Sequence, residues 1–157
     1  MAKYFIDAIP LQPYSSERLV VVKGYDYEEV VDWFKEIFST TTEKNLTKIR
    51  EHYAWYNNQL ECFKKCKPDF EKAMDETSTA QGTYCSSHSS TSNDDFRVLI
   101  LRKSLDFKNP DAVITVAHEV LHLCQEFLPR YLDRDEEHEA EAYFHSYVMK
   151  RIIDLYD

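Results

Sequence analysis

Two histidines and a glutamate lie within the five residues 118–122, His-Glu-Val-Leu-His. On a helix, residues four apart share a face, so the imidazoles of His118 and His122 can bind one metal ion. Glu119 follows His118 directly, which places its carboxylate where it can take a proton from a water that the metal polarises. The pattern therefore predicts a zinc site with hydrolytic chemistry, His118 and His122 as ligands and Glu119 as general base.

The segment around this motif is the most apolar predicted helix of the chain. It begins with the N-cap pair Asn109-Pro110 and ends at about Leu128, before Pro129. In such a setting we expect at least one of the two histidines to lie in or against the core. The alternative to a metal site is a pair of core histidines that are satisfied by hydrogen bonds.

A third metal ligand has to come from outside the motif. Gln125 and Leu128 occupy the positions where the metzincin pattern has glycine and histidine, so that pattern is excluded. The remaining source is a carboxylate from the following helix, and Glu139 lies at about the same level as His122 if the chain turns back at Pro129. Spacing alone does not separate it from its acidic neighbours Glu136, Glu137 and Glu141.

Upstream of the motif, the pattern predicts both strands and helices. Residues 17–23 are rich in valine and read as a strand, and a capping box formed by Asp26 and Glu29 begins a helix that ends at about Phe38. From Leu46 to Phe63 apolar residues recur every three or four positions, which predicts a long amphipathic helix. Such a stripe is also compatible with self-pairing in a helical interaction module.

A predicted hairpin precedes the motif and a last helix follows it. Residues 83–88 and 96–103 read as antiparallel strands, the second with one buried face. If the second strand is the sheet edge above the metal-binding helix, a substrate peptide could pair with it as an extra strand; the alternative is a strand that only shields the core. The last helix is expected to begin near Asp133 or Asp135, since acidic residues suit a helix N-terminus.

These elements predict the α+β class: a helix-rich chain with a small antiparallel sheet. A length of 157 residues is typical of one domain, 1–157, with an N-terminal strand and helices over 1–76 and the hairpin and metal-binding helices over 77–157. The net charge of -9 argues against nucleic acid and anionic membranes as partners. No apolar run is long enough to span a membrane and no signal peptide is evident, so we expect a soluble, cytoplasmic protein with reduced cysteines.

Four further residues have the chemistry of zinc ligands, namely Cys62, Cys66, Cys85 and His88. A closed structural site would use such a set. The three-residue spacing of the first two cysteines departs from the usual knuckle, however, and more often marks small buried side chains. The second-metal hypothesis therefore competes with a packing role.

The motif, the hairpin before it and Glu139-Ala140-x-x-Tyr143 after it resemble short gluzincin-type zinc metallopeptidases, among them ImmA/IrrE-type peptidases and small phage-encoded HExxH proteins. The resemblance covers about residues 80–150. It implies a zincin-like fold with the sheet packed on the HExxH helix, a Zn²⁺ cofactor, Glu139 as third zinc ligand and a peptide or protein substrate. The sixteen residues between His122 and Glu139 are fewer than in many members of that group.

The resemblance also implies that Tyr143, one turn after the ligand glutamate, braces a ligand histidine; a core residue is the alternative. The oxyanion donor is unknown, with His145, His138 and His88 as candidates. We expect a zinc-dependent hydrolase, in particular a metallopeptidase. The alternative is a catalytically inactive zincin-like structural or regulatory protein, for example a phage virion or accessory component, which would place the chain in a virion.

Overall fold

The computed structural model describes residues 4–15, 17–39, 60–75, 81–88 and 95–156. Residues 60–65 are helical, and a short 3₁₀ turn spans Leu128–Arg130. The strands are β1 (Phe5–Pro10), β2 (Arg18–Lys23), β3 (Gly82–His88) and β4 (Asp95–Leu101). The α-helices are α1 (Tyr27–Ser39), α2 (Lys67–Met74), α3 (Pro110–Phe127) and α4 (His138–Tyr156). The predicted helix from Leu46 lies outside the described residues except for its end at 60–65.

The four strands form one sheet in the order β1-β2-β4-β3. The mixture of helices and sheet confirms the predicted α+β composition. The sheet itself is mixed, however, because β2 and β4 run parallel while the two outer pairs are antiparallel. The expectation of an antiparallel sheet was therefore wrong. Parallel neighbours need a long crossover connection, and here the chain between them contains α1 and α2.

The predicted antiparallel pairing of the hairpin strands is confirmed. The strand at the edge of the sheet is the first of the two, β3, and the second, β4, lies in the interior. β4 pairs with β2 on one side and β3 on the other, and all of its residues are buried. The hypothesis that residues 96–103 form a sheet edge was therefore wrong, and the structure favours the alternative, a strand that shields the core. Among the described strands, β3 and β1 form the two edges.

Helices cover both faces of the sheet. On one face, alternate residues of β2 and β4 pack against α1, α2 and residues 60–65. On the other face, the intervening residues of the same strands pack against α3 and α4. The residues of β2 and β4 on that second face are Leu19, Val21, Leu99 and Leu101. This layer holds the predicted motif helix against the sheet.

Local signals account for most of the helix boundaries. The Asp26 and Glu29 side chains each accept a hydrogen bond from the other residue's amide, at 2.9 and 3.2 Å, so the capping box is confirmed. Asn109 caps α3 by accepting from the Asp111 amide at 3.0 Å. The last helix begins later than expected, at His138, because the Asp133 carboxylate accepts from the Asp135 amide and holds a turn.

Strand β1 was not predicted. Its sequence contains Asp7 and ends at Pro10, and both residue types are uncommon inside strands. The strand forms because it is an edge that needs only one partner, β2, with Phe5 opposite Lys23 and Pro10 opposite Arg18.

A buried ion cluster links the sheet to the end of α3. Arg97 of β4 is completely buried; its Nε donates to Glu126 at 2.8 Å and its Nη2 to Asp95 at 3.3 Å. Its Nη1 lies 3.2 Å from Glu17, and Arg130 also pairs with Asp95. Three carboxylates thus converge on one fully buried guanidinium, and two of them, Glu17 and Asp95, are themselves buried.

Replacing Arg97 with methionine should lower the free energy of unfolding by about 3–5 kcal/mol, because the buried carboxylates lose their counter-charge. Urea denaturation of Arg97→Met measures this loss. The control is Lys150→Met, which breaks an exposed pair with Asp154 and should change stability by less than about 1 kcal/mol. Equal stabilities of the two variants would contradict the role assigned to Arg97.

Candidate functional site

Helix α3 has one face in the core and one face open to solvent. Val116, Val120, Leu123 and Phe127 are buried against the sheet. The helical period of about 100° per residue turns the histidines away from this face, and His118 and His122 are both exposed. The expectation that at least one of them lies in or against the core was therefore wrong, and so was the alternative of two core histidines.

The two imidazoles converge. Nε2 of His118 lies 3.2 Å from Nε2 of His122, and the rings are nearly perpendicular, at 87°. Two nitrogens bound to a tetrahedral zinc at 2.0–2.1 Å would be about 3.3 Å apart. The separation thus fits joint coordination without a change of rotamer, and it fits an N–H···N hydrogen bond between neutral imidazoles equally well.

Gln125 orients the ring of His122. Its Oε1 lies 3.2 Å from His122 Nδ1. An amide oxygen only accepts, so Nδ1 is the donor in this contact, and in the neutral imidazole this tautomer leaves the lone pair of Nε2 for a ligand. Sequence analysis does not assign Gln125 this role. Residues three apart on a helix are neighbours, so the spacing of His122 and Gln125 could have predicted the contact.

Glu119 reaches toward the sheet. Its Oε2 accepts a hydrogen bond from the Tyr84 amide of β3 at 2.7 Å. His118, Glu119 and His122 each offer a ligand atom within 4.8 Å of the others, and they are the one such group of three potential metal ligands among the residues that the structure describes. The three residues of the motif thus meet between the outer face of α3 and the edge strand β3.

Tyr84 connects this group to the buried ion cluster. Its phenol donates to Glu126 Oε2 at 3.1 Å, and Glu126 in turn accepts from Arg97. Burial, followed by the charge of Glu126, raises the pKa of the Tyr84 phenol, so this hydroxyl remains a donor at neutral pH. No sequence pattern indicates this role, because the amide and the phenol of one residue contact two different elements only in the folded chain.

The expected third ligand does not belong to the group. Glu139 is exposed in the first turn of α4. Its competitor Glu141 is held by Arg134, whose Nε donates to it at 2.8 Å. Glu136 and Glu137 are exposed in the turn before α4. The assignment of Glu139 as a ligand stays a prediction.

The candidates for other roles lie on α4 and β3. His145 Nε2 is 3.2 Å from the Ala117 carbonyl, which places it beside the motif. His138 and His145 line an open groove of about 510 Å³ between α4 and Leu121 of α3. Tyr143 is 73% exposed, so its interpretation as a core residue was wrong, and its bracing of a ligand histidine stays a prediction. The side chain of His88 lies outside the described residues.

The cysteines of the second-metal hypothesis are partly assembled. Cys66 and Cys85 are adjacent, with their sulfurs 3.1 Å apart, and Cys62 is buried in the same core. Burial raises the pKa of the Cys62 thiol. Because the fourth member is the undescribed side chain of His88, the closed zinc site stays a prediction.

Comparison with known protein families, with curated proteins and with solved structures finds no match. Within the described ranges, no helix has both the length and the apolar character needed to cross a bilayer. The geometry of the site itself is therefore the basis for a functional proposal.

Replacing Tyr84 with phenylalanine should lower the free energy of unfolding by about 1–3 kcal/mol, because Glu126 loses a donor in a half-buried position. Chemical denaturation at neutral pH measures the change. The matched control is Tyr143→Phe, which removes an exposed hydroxyl and should shift stability by less than about 0.5 kcal/mol. The link between Tyr84 and Glu126 is refuted if both variants unfold at the same denaturant concentration as the unmodified protein.

Proposed function

We propose that this chain is a zinc-dependent hydrolase, a metallopeptidase in which His118 and His122 hold the metal and Glu119 is the general base. The observation that carries the proposal is the 3.2 Å separation of the two Nε2 atoms, with the Glu119 carboxylate in the same group. Two histidine ligands, a carboxylate and open access are the features that catalytic zinc sites combine.

The donor set fits a divalent zinc ion. Imidazole nitrogen is a preferred zinc donor, both rings are exposed to solvent, and Gln125 holds His122 in the orientation that leaves Nε2 available. Zinc, when bound, supplies a Lewis acid that lowers the pKa of a water ligand to about 7.

Glu119 is the proposed acceptor of the proton from the attacking water. One oxygen, Oε2, accepts from the Tyr84 amide, and the other carboxylate oxygen remains for the proton of the attacking water. The amide of Tyr84 fixes the direction of the carboxylate, and its phenol is anchored on Glu126. Glu119, once protonated, can then act as a general acid and give that proton to the leaving amine.

A peptide is the substrate class that the setting of the group favours. β3 is an edge strand beside Glu119, and such an edge can pair with an extended peptide through main-chain hydrogen bonds. The peptide-pairing role predicted for residues 96–103 is thus proposed for β3 instead. A zincin-like fold is part of this proposal, since the HExxH helix packs under a mixed sheet whose edge strand is antiparallel.

Glu139 is proposed as the third ligand, on the resemblance to gluzincins. Its side chain is exposed in the first turn of α4. The rival function, a catalytically inactive zincin-like structural or regulatory protein, is favoured by one observation: no residue of α4 joins the three-residue group among the described residues. Metal binding and hydrolysis are therefore tested separately.

Zinc affinity should fall at least about 100-fold in His118→Ala and in His122→Ala, because loss of a direct ligand exceeds the 10–100-fold cost of losing an outer partner. Titration against a chromophoric chelator measures it. Glu139→Gln should weaken binding about 10-fold or more, with Glu136→Gln and His138→Ala as controls that bind normally. If zinc affinity is unchanged in both histidine variants, the two imidazoles are only a hydrogen-bonded pair and the metal site is refuted. If the histidine variants lose affinity but Glu139→Gln does not, only the assignment of Glu139 as third ligand is refuted.

Hydrolysis of casein or a peptide library should be sensitive to a chelator and should fall about 10²–10⁴-fold in Glu119→Gln, because the base is lost while the imidazoles remain. Glu137→Gln, an exposed change in the neighbouring turn, is the matched control. A protein that binds zinc through both histidines but cleaves nothing would support the structural alternative. Full turnover by Glu119→Gln would contradict the mechanism.

A further inference from the structure

Two cysteines from distant parts of the chain meet on the side of the sheet opposite α3. Cys66 lies at the turn between residues 60–65 and α2, and Cys85 lies in the middle of β3. Their sulfurs are 3.1 Å apart, and neither forms a disulfide. Cys66 is only 2% exposed, whereas Cys85 is half-buried.

The sulfurs are closer than an ordinary packing contact. A disulfide has an S–S bond of about 2.05 Å, so closure requires the two sulfurs to approach by about 1 Å. The connected elements, α2 and β3, already pack against each other through the core around Phe63 and Phe70. The fold thus holds the two thiols ready for a bond.

The two thiols differ in character. The hydrogen bond between the two thiols lowers the pKa of the Cys85 thiol, although burial and the carboxylate of Asp69, 3.6 Å away, oppose the effect. The same hydrogen bond and burial raise the pKa of Cys66. The more accessible sulfur is therefore also the better nucleophile, and its buried neighbour is placed to act second.

We propose that Cys66 and Cys85 form a redox-active dithiol that a small-molecule disulfide, glutathione disulfide, converts to an intramolecular disulfide. The proposal does not depend on the hydrolytic function, because it uses neither the histidines nor Glu119.

The exchange proceeds in two balanced steps. The Cys85 thiolate attacks one sulfur of glutathione disulfide, forming a mixed disulfide and releasing glutathione thiolate, which takes up a proton. Cys66 then loses its proton to solvent and attacks the Cys85 sulfur, which forms the Cys66–Cys85 bond and releases the second glutathione. The two protein thiols are oxidised, and one glutathione disulfide is reduced to two glutathiones.

The bond would tie α2 to the strand that positions the candidate base. Cys85 is the direct neighbour of Tyr84, whose amide holds Glu119. It would also close a loop of twenty residues between 66 and 85, which restricts the unfolded chain. We therefore expect the oxidised protein to melt about 5–10 °C above the reduced protein.

The test is equilibration of the full chain with excess glutathione disulfide, followed by intact mass and peptide mapping without reduction. The expected product lacks two hydrogens, carries no glutathione and contains a Cys66–Cys85 cross-link. Cys66→Ser should stop at a glutathione adduct on Cys85, and Cys85→Ser should leave Cys66 unmodified. The matched controls Cys62→Ala and Cys124→Ala should still form the bond.

Three results would overturn the proposal. All four thiols could remain free for alkylation, the cross-link could join other cysteines, or the protein without substitutions could stop at a stable glutathione adduct. A disulfide that forms but lowers the melting temperature would show that the native fold does not accommodate it, and would overturn the proposal as well.

Discussion

The helical period of α3 is the constraint on which the arrangement of the site depends. Its inward residues, such as Val116 and Val120, bury one side of the helix against the sheet. The same rotation places His118 and His122 together on the outer side, with Glu119 turned toward β3. The apolar packing that holds the helix in place thus also fixes the direction in which the three polar side chains point.

Beneath the group, a chain of polar contacts runs from the surface into the core. Glu119 is held by the Tyr84 amide, the Tyr84 phenol by Glu126, and Glu126 by the buried Arg97. Buried charges of this kind are costly when unpaired, so each contact restricts the rotamers of the next. The candidate base is therefore connected through Tyr84 and Glu126 to the buried Arg97, while the histidines remain accessible from outside.

The parts of this arrangement that follow from local spacing could be predicted from the sequence. The helix that contains the motif, the capping box at Asp26 and the hairpin pairing all depend on residues close together in the chain, and the structure confirms these three elements. The place of β4 in the interior could not be predicted, because it depends on its long-range pairing with β2. The hydrogen bond from the Tyr84 amide to Glu119 could not be predicted either, because nothing in the sequence marks which backbone amide will donate to a distant side chain.

The central claim is that one zinc ion is bound by both imidazoles of α3. Zinc K-edge X-ray absorption of the zinc-loaded protein tests it most directly, because the scattering pattern identifies imidazole ligands and separates nitrogen from sulfur. The account predicts two imidazole nitrogens at about 2.0 Å, reduced in number in His118→Ala. A first shell of sulfur at about 2.3 Å, or a shell without imidazole, would contradict it.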